Sequence, residues 1–305
     1  MRIDSHQHFW RYHSAEYPWI GEEMDILRHD YLPPGLYDLL VLNGIDGTVA
    51  VQARRIEAET SWLLGLSSRY HWIRGVVGWV DMEREGSPER IAEFAQDPRF
   101  RGIRYPIKPQ AVSSGSAVTE GNSSAATLST VAPLWENRTF DAGMRMLIEL
   151  DLPYDLLCRP PDLPVAVRLV DAYPNQRFIL DHIAKPEIAS GTIEPWAAQI
   201  QTLAERENVS CKVSGMITEA ARHRWSKEDF RPYIDRVVEA FGLGRLMFGS
   251  DWPVCLIAGE YADTVRVISH HFNHFSIDER DALWGKNAMR IYGLRRISEE
   301  FSATS

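Results

Sequence analysis

The stretch Arg2-Ile3-Asp4-Ser5-His6-Gln7-His8-Phe9-Trp10 reads as a β-strand that carries chemistry. Side chains alternate along a strand, so His6 and His8 point the same way, with their imidazoles within a few ångströms. Two later strands also end on ionisable groups. One is Phe178-Ile179-Leu180-Asp181-His182, and the other is Leu246-Met247-Phe248-Gly249-Ser250-Asp251, followed by Trp252-Pro253. Imidazoles and a carboxylate gathered at strand ends are the parts of a hydrolytic site at the mouth of a parallel barrel.

Working outward, eight strand candidates fall at residues 2–8, 47–53, 73–80, 100–106, 153–158, 176–182, 208–214 and 245–251. Helical patterns lie between many of them, at 33–43, 57–70, 87–96, 162–173, 194–207, 229–241 and 260–271. Eight β/α alternations without a dinucleotide fingerprint predict an α/β fold, a (β/α)8 TIM barrel, formed as one domain over 1–305. Its 305 residues suit such a barrel with elaborated loops. Two connections are long. Residues 9–32 hold Phe9, Trp10, Tyr12, Tyr17, Trp19 and Tyr31, and could form a lid; residues 107–131 are rich in small polar groups.

A net charge of −9 argues against nucleic acid or an anionic membrane as partner. Three separated cysteines, Cys158, Cys211 and Cys255, read as buried thiols in a reducing compartment. With no leader and no membrane-length apolar run, a cytoplasmic protein is expected. The sequence leaves the oligomeric state open.

Strand parity predicts which residues face the axis. On strand 8 these are Met247, Gly249 and Asp251; on strand 7, Ser210, Lys212 and Ser214; on strand 4, Gly102 and Arg104. On strand 2 the more polar face is Thr48, Ala50 and Gln52. Gly75, Val77 and Trp79 share a face on strand 3, as do Phe178, Leu180 and His182 on strand 6. The mouth therefore gathers His6, His8, Gln52, Trp79, Arg104, His182, Lys212 and Asp251. Buried charges need partners, so a purely structural core does not explain such a set.

The strings Asp4-Ser5-His6-Gln7-His8-Phe9-Trp10, Tyr17-Pro18-Trp19-Ile20, Leu180-Asp181-His182-Ile183-Ala184-Lys185-Pro186, Cys211-Lys212-Val213-Ser214-Gly215 and Gly249-Ser250-Asp251-Trp252-Pro253 resemble the sugar-lactonase branch of the amidohydrolase superfamily. The resemblance spans about residues 1 to 293. It implies hydrolysis of a small aldonolactone, such as L-fucono-, L-rhamnono- or L-galactonolactone. Many superfamily members hold two metals through a strand-4 Lys or Glu and a strand-5 His. Here strand 4 offers Arg104 and strand 5 has no His, so at most one divalent ion is expected. A single Zn²⁺ on His6, His8 and Asp251, with His182 nearby, fits these ligand types, and no organic cofactor is implied.

In this reading Asp251 is the general base for water, and His6, His8 and His182 polarise the lactone carbonyl. Arg104 and Lys212 either add positive charge near that oxygen or pair with Asp155. Gln52, Trp79, Trp10 and Trp19 would contact the sugar. Two alternatives compete: a metal-dependent decarboxylase of an aromatic acid, and a non-catalytic barrel that binds a sugar acid.

Overall fold

A computed structural model describes residues 1–107 and 132–294. Eight parallel strands follow in chain order: β1 (Ile3–Gln7), β2 (Gly47–Val51), β3 (Ile73–Gly78), β4 (Phe100–Pro106), β5 (Tyr154–Leu157), β6 (Phe178–Leu180), β7 (Val209–Val213) and β8 (Leu246–Phe248). Each pairs with the next. Beyond the ends of β1 and β8 the barrel closes through backbone bonds from His8 N to Trp252 O (2.7 Å) and from Asp251 N to His6 O (2.8 Å). This is the expected (β/α)8 barrel. The 107–131 connection lies outside the described residues except for Ile107.

Around the strands run α1 (Pro33–Leu42), α2 (Glu57–Arg69), α3 (Ser87–Ala95), α4 (Arg138–Glu149), α5 (Leu163–Ala172), α6 (Trp196–Ala204), the short α7 (Met216–Glu219), α8 (Arg231–Phe241) and α9 (Tyr261–Phe272). The chain then turns through α10 (Ile277–Asp281) and a π-helical turn into α11 (Asn287–Ile291). Helix α4 was not anticipated. Its start is fixed by Asn137, whose side-chain oxygen accepts from the backbone N–H groups of Thr139 and Phe140.

One core lies between strands and helices, and a second fills the barrel. The inner core contains Ile3, Val49, Val51, Val77, Ile179 and Met247, with Ala288, Ile291, Tyr292 and Leu294 from the C-terminal segment packed against them. This assignment corrects three expected parities, the first being on β3, where Val77 faces the inner core while Trp79 joins the outer one. On β2, Val49 and Val51 face inward while Ala50 joins the outer core. Branched apolar side chains are what a barrel interior packs best. On β6, Ile179 faces inward while Phe178 and Leu180 face the helices. His182 therefore cannot reach the axis by strand alternation.

The β1 histidines owe their direction to an irregularity. The pairing of β1 with β2 shifts register between Asp4 and Gln7, as a β-bulge does. Ile3 faces the inner core, yet His6 and His8 both face the mouth. Asp4 secures this seam. Its buried carboxylate accepts from Ser250 N (2.9 Å), Tyr261 OH (3.1 Å) and His6 N (3.2 Å).

Candidate active site

Four groups meet where β1, β6 and β8 end. His6 Nε2 and His8 Nε2 are 3.2 Å apart. Oδ1 of Asp251 lies 3.4 Å from His8 Nε2, 3.9 Å from His6 Nε2 and 3.8 Å from His182 Nε2. All four residues are buried.

Asp251 reaches this position from a left-handed backbone, φ +57°. His182 does so through four successive left-handed residues, His182, Ile183, Ala184 and Lys185. A run of this kind is costly for non-glycine residues, and such outliers concentrate at functional sites. The turn is held by Lys185 N donating to His182 O (2.8 Å) and by Trp196 Nε1 donating to Ile183 O (2.8 Å). Gly215 leaves room for it: a Cβ there would sit 2.7 Å from His182 Nδ1. Ser214 Oγ, 2.9 Å from that nitrogen, fixes the ring.

Burial would raise the Asp251 carboxyl, but His182, His8 and His6 outweigh it and hold it well below the usual range. Burial, with Lys185 and Arg104 adding to it, pushes His182 down to about 3. Burial likewise lowers His8, and it lowers His6 further with the help of Lys212. At neutral pH the cluster is an ionised carboxylate among neutral imidazoles.

That state suits both a general base and a metal centre. His8 Nδ1 lies 2.8 Å from Val51 O and must donate to it, which leaves Nε2 a bare lone pair. His6 Nδ1 faces Asp181 Oδ1 at 3.2 Å, the carboxylate–histidine pairing that stands behind metal ligands. The ligand atoms of His6, His8 and Asp251 all lie within 4.8 Å of one another, and so do those of His6, Asp181 and His182. Asp251 Oδ2 is buried without a hydrogen-bond partner. Two histidines and a carboxylate match the protein ligands of a catalytic zinc donor set.

The substrate-facing expectations divide. Lys212 is fully buried beneath His6, so it does not line the mouth. Its ammonium lies 2.6 Å from Asp155 Oδ2, 2.9 Å from Asp181 Oδ1 and 3.0 Å from His6 Nδ1. Pairing with Asp155, the alternative reading of Lys212, is what the fold uses. Arg104 donates to Gln52 O (2.5 Å) and lies 3.5 Å from Asp181 Oδ2, while Gln52 Nε2 donates back to Arg104 O (3.3 Å). Trp79 stacks on Tyr105, with ring centroids 6.1 Å apart, as part of the outer core. Trp10 is fully buried and donates to His29 O (3.0 Å), so its ring supports the 9–32 connection rather than lining an open mouth. Trp19 packs edge-on against Trp10 at 5.8 Å and stays partly exposed.

Sequence reasoning did not single out Asp181, Lys185 or Tyr292. Asp181 was signalled by Lys212, because a buried ammonium on β7 demands carboxylates from neighbouring strands.

The amidohydrolase family profile matches residues 3–294. The chain belongs to the amidohydrolase family. Among curated amidohydrolase relatives, the L-fucono-1,5-lactonase of Burkholderia multivorans is 36% identical over 304 residues, covering 96% of each chain. An amidohydrolase from Burkholderia multivorans crystallised with bound zinc superposes with a TM-score of 0.85 at 35% identity, covering 97% of this chain and all of the other. A 5-carboxyvanillate decarboxylase from Novosphingobium aromaticivorans, crystallised with manganese, reaches a TM-score of 0.64 at 16% identity over 96% of each chain. That likeness shows the fold alone.

Proposed function

We propose that this amidohydrolase hydrolyses a sugar lactone of the L-fucono-1,5-lactone class to the open hydroxy acid. The near full-length likeness to an L-fucono-1,5-lactonase supports this substrate class over decarboxylation or ligand binding without turnover. The observation that carries the chemistry is the buried Asp251 carboxylate, ionised and with Oδ2 unpartnered, facing three neutral imidazoles.

Hydrolysis requires water oxygen to bond to the lactone carbonyl carbon while the ring C–O bond breaks. Asp251 Oδ2 takes a proton from the attacking water and returns one to the departing ring oxygen. Oδ1 sits 3.4 Å from His8 Nε2 and 3.8 Å from His182 Nε2. Ser214 holds the His182 ring so that Nε2 faces the reacting centre, where it can donate to the developing oxyanion. His6, His8 and Asp251 would hold one divalent ion, zinc by ligand type, and that ion supplies Lewis-acid polarisation of the carbonyl and lowers the pKa of water. Gln52 and Trp19 are the candidates for contacts to sugar hydroxyls and the C–H face. Arg104 acts from behind them, through Gln52 O and Asp181.

No helix among the described residues is long and apolar enough to cross a membrane. The cytoplasm is the proposed location, on the strength of three buried cysteines that form no disulfide with one another.

A panel of 1,4- and 1,5-aldonolactones, followed by acid release, tests the reading. Turnover of L-fucono-1,5-lactone or a close stereoisomer is expected. Turnover of none of the panel, or release of CO2 from an aromatic acid, would overturn it.

A further inference from the structure

Beneath the histidines lies a second layer of buried charge that the reaction itself does not use. Lys212, Asp155 and Asp181 are fully buried, and Arg104 nearly so. Two cations face two carboxylates, so the layer is neutral as a set and leaves Asp251 to the imidazoles above. Lys212 makes its shortest contact to Asp155 Oδ2, at 2.6 Å. The same oxygen accepts from Tyr292 OH at 2.8 Å. Asp155 Oδ1 has no hydrogen-bond partner. The whole tie on this carboxylate therefore passes through one oxygen shared by Lys212 and Tyr292.

Tyr292 follows α11 and packs among Ile3, Val49, Val51, Val77, Ile179 and Met247 in the inner core. It carries the C-terminal segment into the barrel axis, with the Lys212 ammonium 5.4 Å from its ring centroid. The contacts form an unbroken chain: Tyr292 OH to Asp155, Asp155 to Lys212 Nζ, Lys212 Nζ to Asp181, and Asp181 to His6 Nδ1.

We infer that Asp155 and Tyr292 are positioning residues that anchor Lys212, and through it set the orientation of the His6 ring toward His8 and Asp251. The ammonium donates to Asp155 Oδ2 at 2.6 Å and lies 2.9 Å from Asp181 Oδ1, the carboxylate toward which His6 Nδ1–H points. With Asp155 held by Tyr292, the ammonium is drawn down to Asp155 and Asp181. Asp181 is then kept beside His6 Nδ1, at 3.2 Å. Without the Tyr292 hydroxyl the carboxylate of Asp155 is free to turn, and the ammonium moves with it. His6 then loses the fixed partners behind its ring, although no group at the reacting centre has changed. Groups behind a metal-binding histidine act in this manner, and their loss costs about 10- to 100-fold in metal affinity or activity.

The inference rests on the lactonase reading for its kinetic arm, and a binding arm stands apart from it. The variants are Tyr292→Phe, which removes one hydroxyl from a packed ring, and Asp155→Asn, which keeps the shape and removes the charge. Each is purified as the full chain. kcat and KM are measured on L-fucono-1,5-lactone, zinc affinity by chelator competition, and Tm by thermal unfolding. For Tyr292→Phe we expect kcat about 10-fold lower with KM within about twofold, and zinc affinity about 10-fold weaker. Asp155→Asn should move both quantities further in the same direction. If Tm alone falls while kcat and zinc affinity stay within twofold of wild type, the network only supports the fold and the inference is overturned. If wild type hydrolyses no lactone, the functional reading fails, and zinc affinity still decides the role of Tyr292. If Asp155→Asn does not fold, Tyr292→Phe decides it.

Discussion

Gly249 and His6 touch across the β1–β8 seam: a Cβ placed on Gly249 would lie 2.8 Å from the Cβ of His6 and 3.0 Å from that of Ser214. The first is shorter than real Cβ atoms show, and the second is tighter than nearly all of them. The missing side chain lets β8 approach β1 closely enough for Asp251 N to bond to His6 O. The geometry of the candidate site depends here on a residue with no chemistry of its own.

Gly249→Ala should therefore displace His6 or Ser214, neither of which is a flexible chain end. Overpacking of this kind costs about 1–3 kcal/mol. The expected result is a lower Tm together with a loss of kcat, measured on purified protein. A variant that loses stability but keeps wild-type kcat would mean that the seam relaxes without moving His6.

Replacing Asp251 with Asn keeps the shape and removes the proposed base. Turnover should fall by about two to four orders of magnitude. The fold should survive, because backbone bonds and the Asp4 cluster hold the seam independently. If most activity remains, the base is elsewhere, with His182 the next candidate.

Metal removal separates stability from chemistry. The two apolar cores are large, so folding does not need an ion. Dialysis against a chelator should abolish most lactone hydrolysis and leave the far-UV circular dichroism unchanged, and one equivalent of Zn²⁺ should restore activity. Full activity with no bound metal would assign carbonyl polarisation to the histidines alone.

The parts of the site that were legible in the sequence are those set by local pattern. His6 and His8 are two apart on one strand, and Asp251 ends an apolar run, so both were readable. The parities of β2 and β6 were not. On β2, polarity pointed to Thr48, Ala50 and Gln52, whereas the barrel interior takes the branched Val49 and Val51. On β6, alternation breaks at Leu180, and His182 is delivered by a left-handed turn that no periodicity signals. Helix α4 was missed although Asn137 caps it and Phe140, Met144 and Leu147 recur on one buried face. Lys212 shows the deeper limit. The sequence left substrate contact and pairing with Asp155 both open, and only the packing decides for Asp155 and adds Asp181.

The buried Glu59 gives a pH-dependent stability prediction. Its carboxyl accepts from Ala53 N (3.0 Å) and Arg54 N (2.8 Å), yet burial outweighs these bonds and pushes it up to about 7. The folded protein therefore holds this proton between the ordinary glutamate range near 4.5 and pH 7, where the unfolded chain has released it. The stabilising contribution is fully present below about 4.5 and is lost as pH rises through 7. Tm followed from pH 4.5 to 8 should decline less in Glu59→Gln than in wild type. Parallel curves would show that Glu59 is ionised in the fold throughout.

The last prediction concerns the aromatic connection over residues 9–32. Trp10 is its interior: Tyr17, Trp19 and Tyr31 pack around it at ring-centroid distances of 5.7, 5.8 and 5.5 Å, and its own ring lies 6.4 Å from that of His8. Trp19 is the outer member, and its buried Nε1 has no partner. Arg54 ties the connection to the end of β2 through an ion pair with Glu16 and a position 5.3 Å from the Tyr17 ring centroid. Trp10→Ala should act on the fold, costing about 3–5 kcal/mol as large buried aromatics do. Trp19→Ala should instead act on substrate. A sugar ring packs its C–H face on an aromatic ring, and an unpartnered indole N–H can meet a hydroxyl. KM should therefore rise several-fold for L-fucono-1,5-lactone and change little for δ-valerolactone, which lacks hydroxyls. Binding lost from the remote part of a substrate appears in KM, so the contrast between the two lactones is the measurement. An equal loss on both would make Trp19 a support of Trp10, and no change on either would remove it from the site.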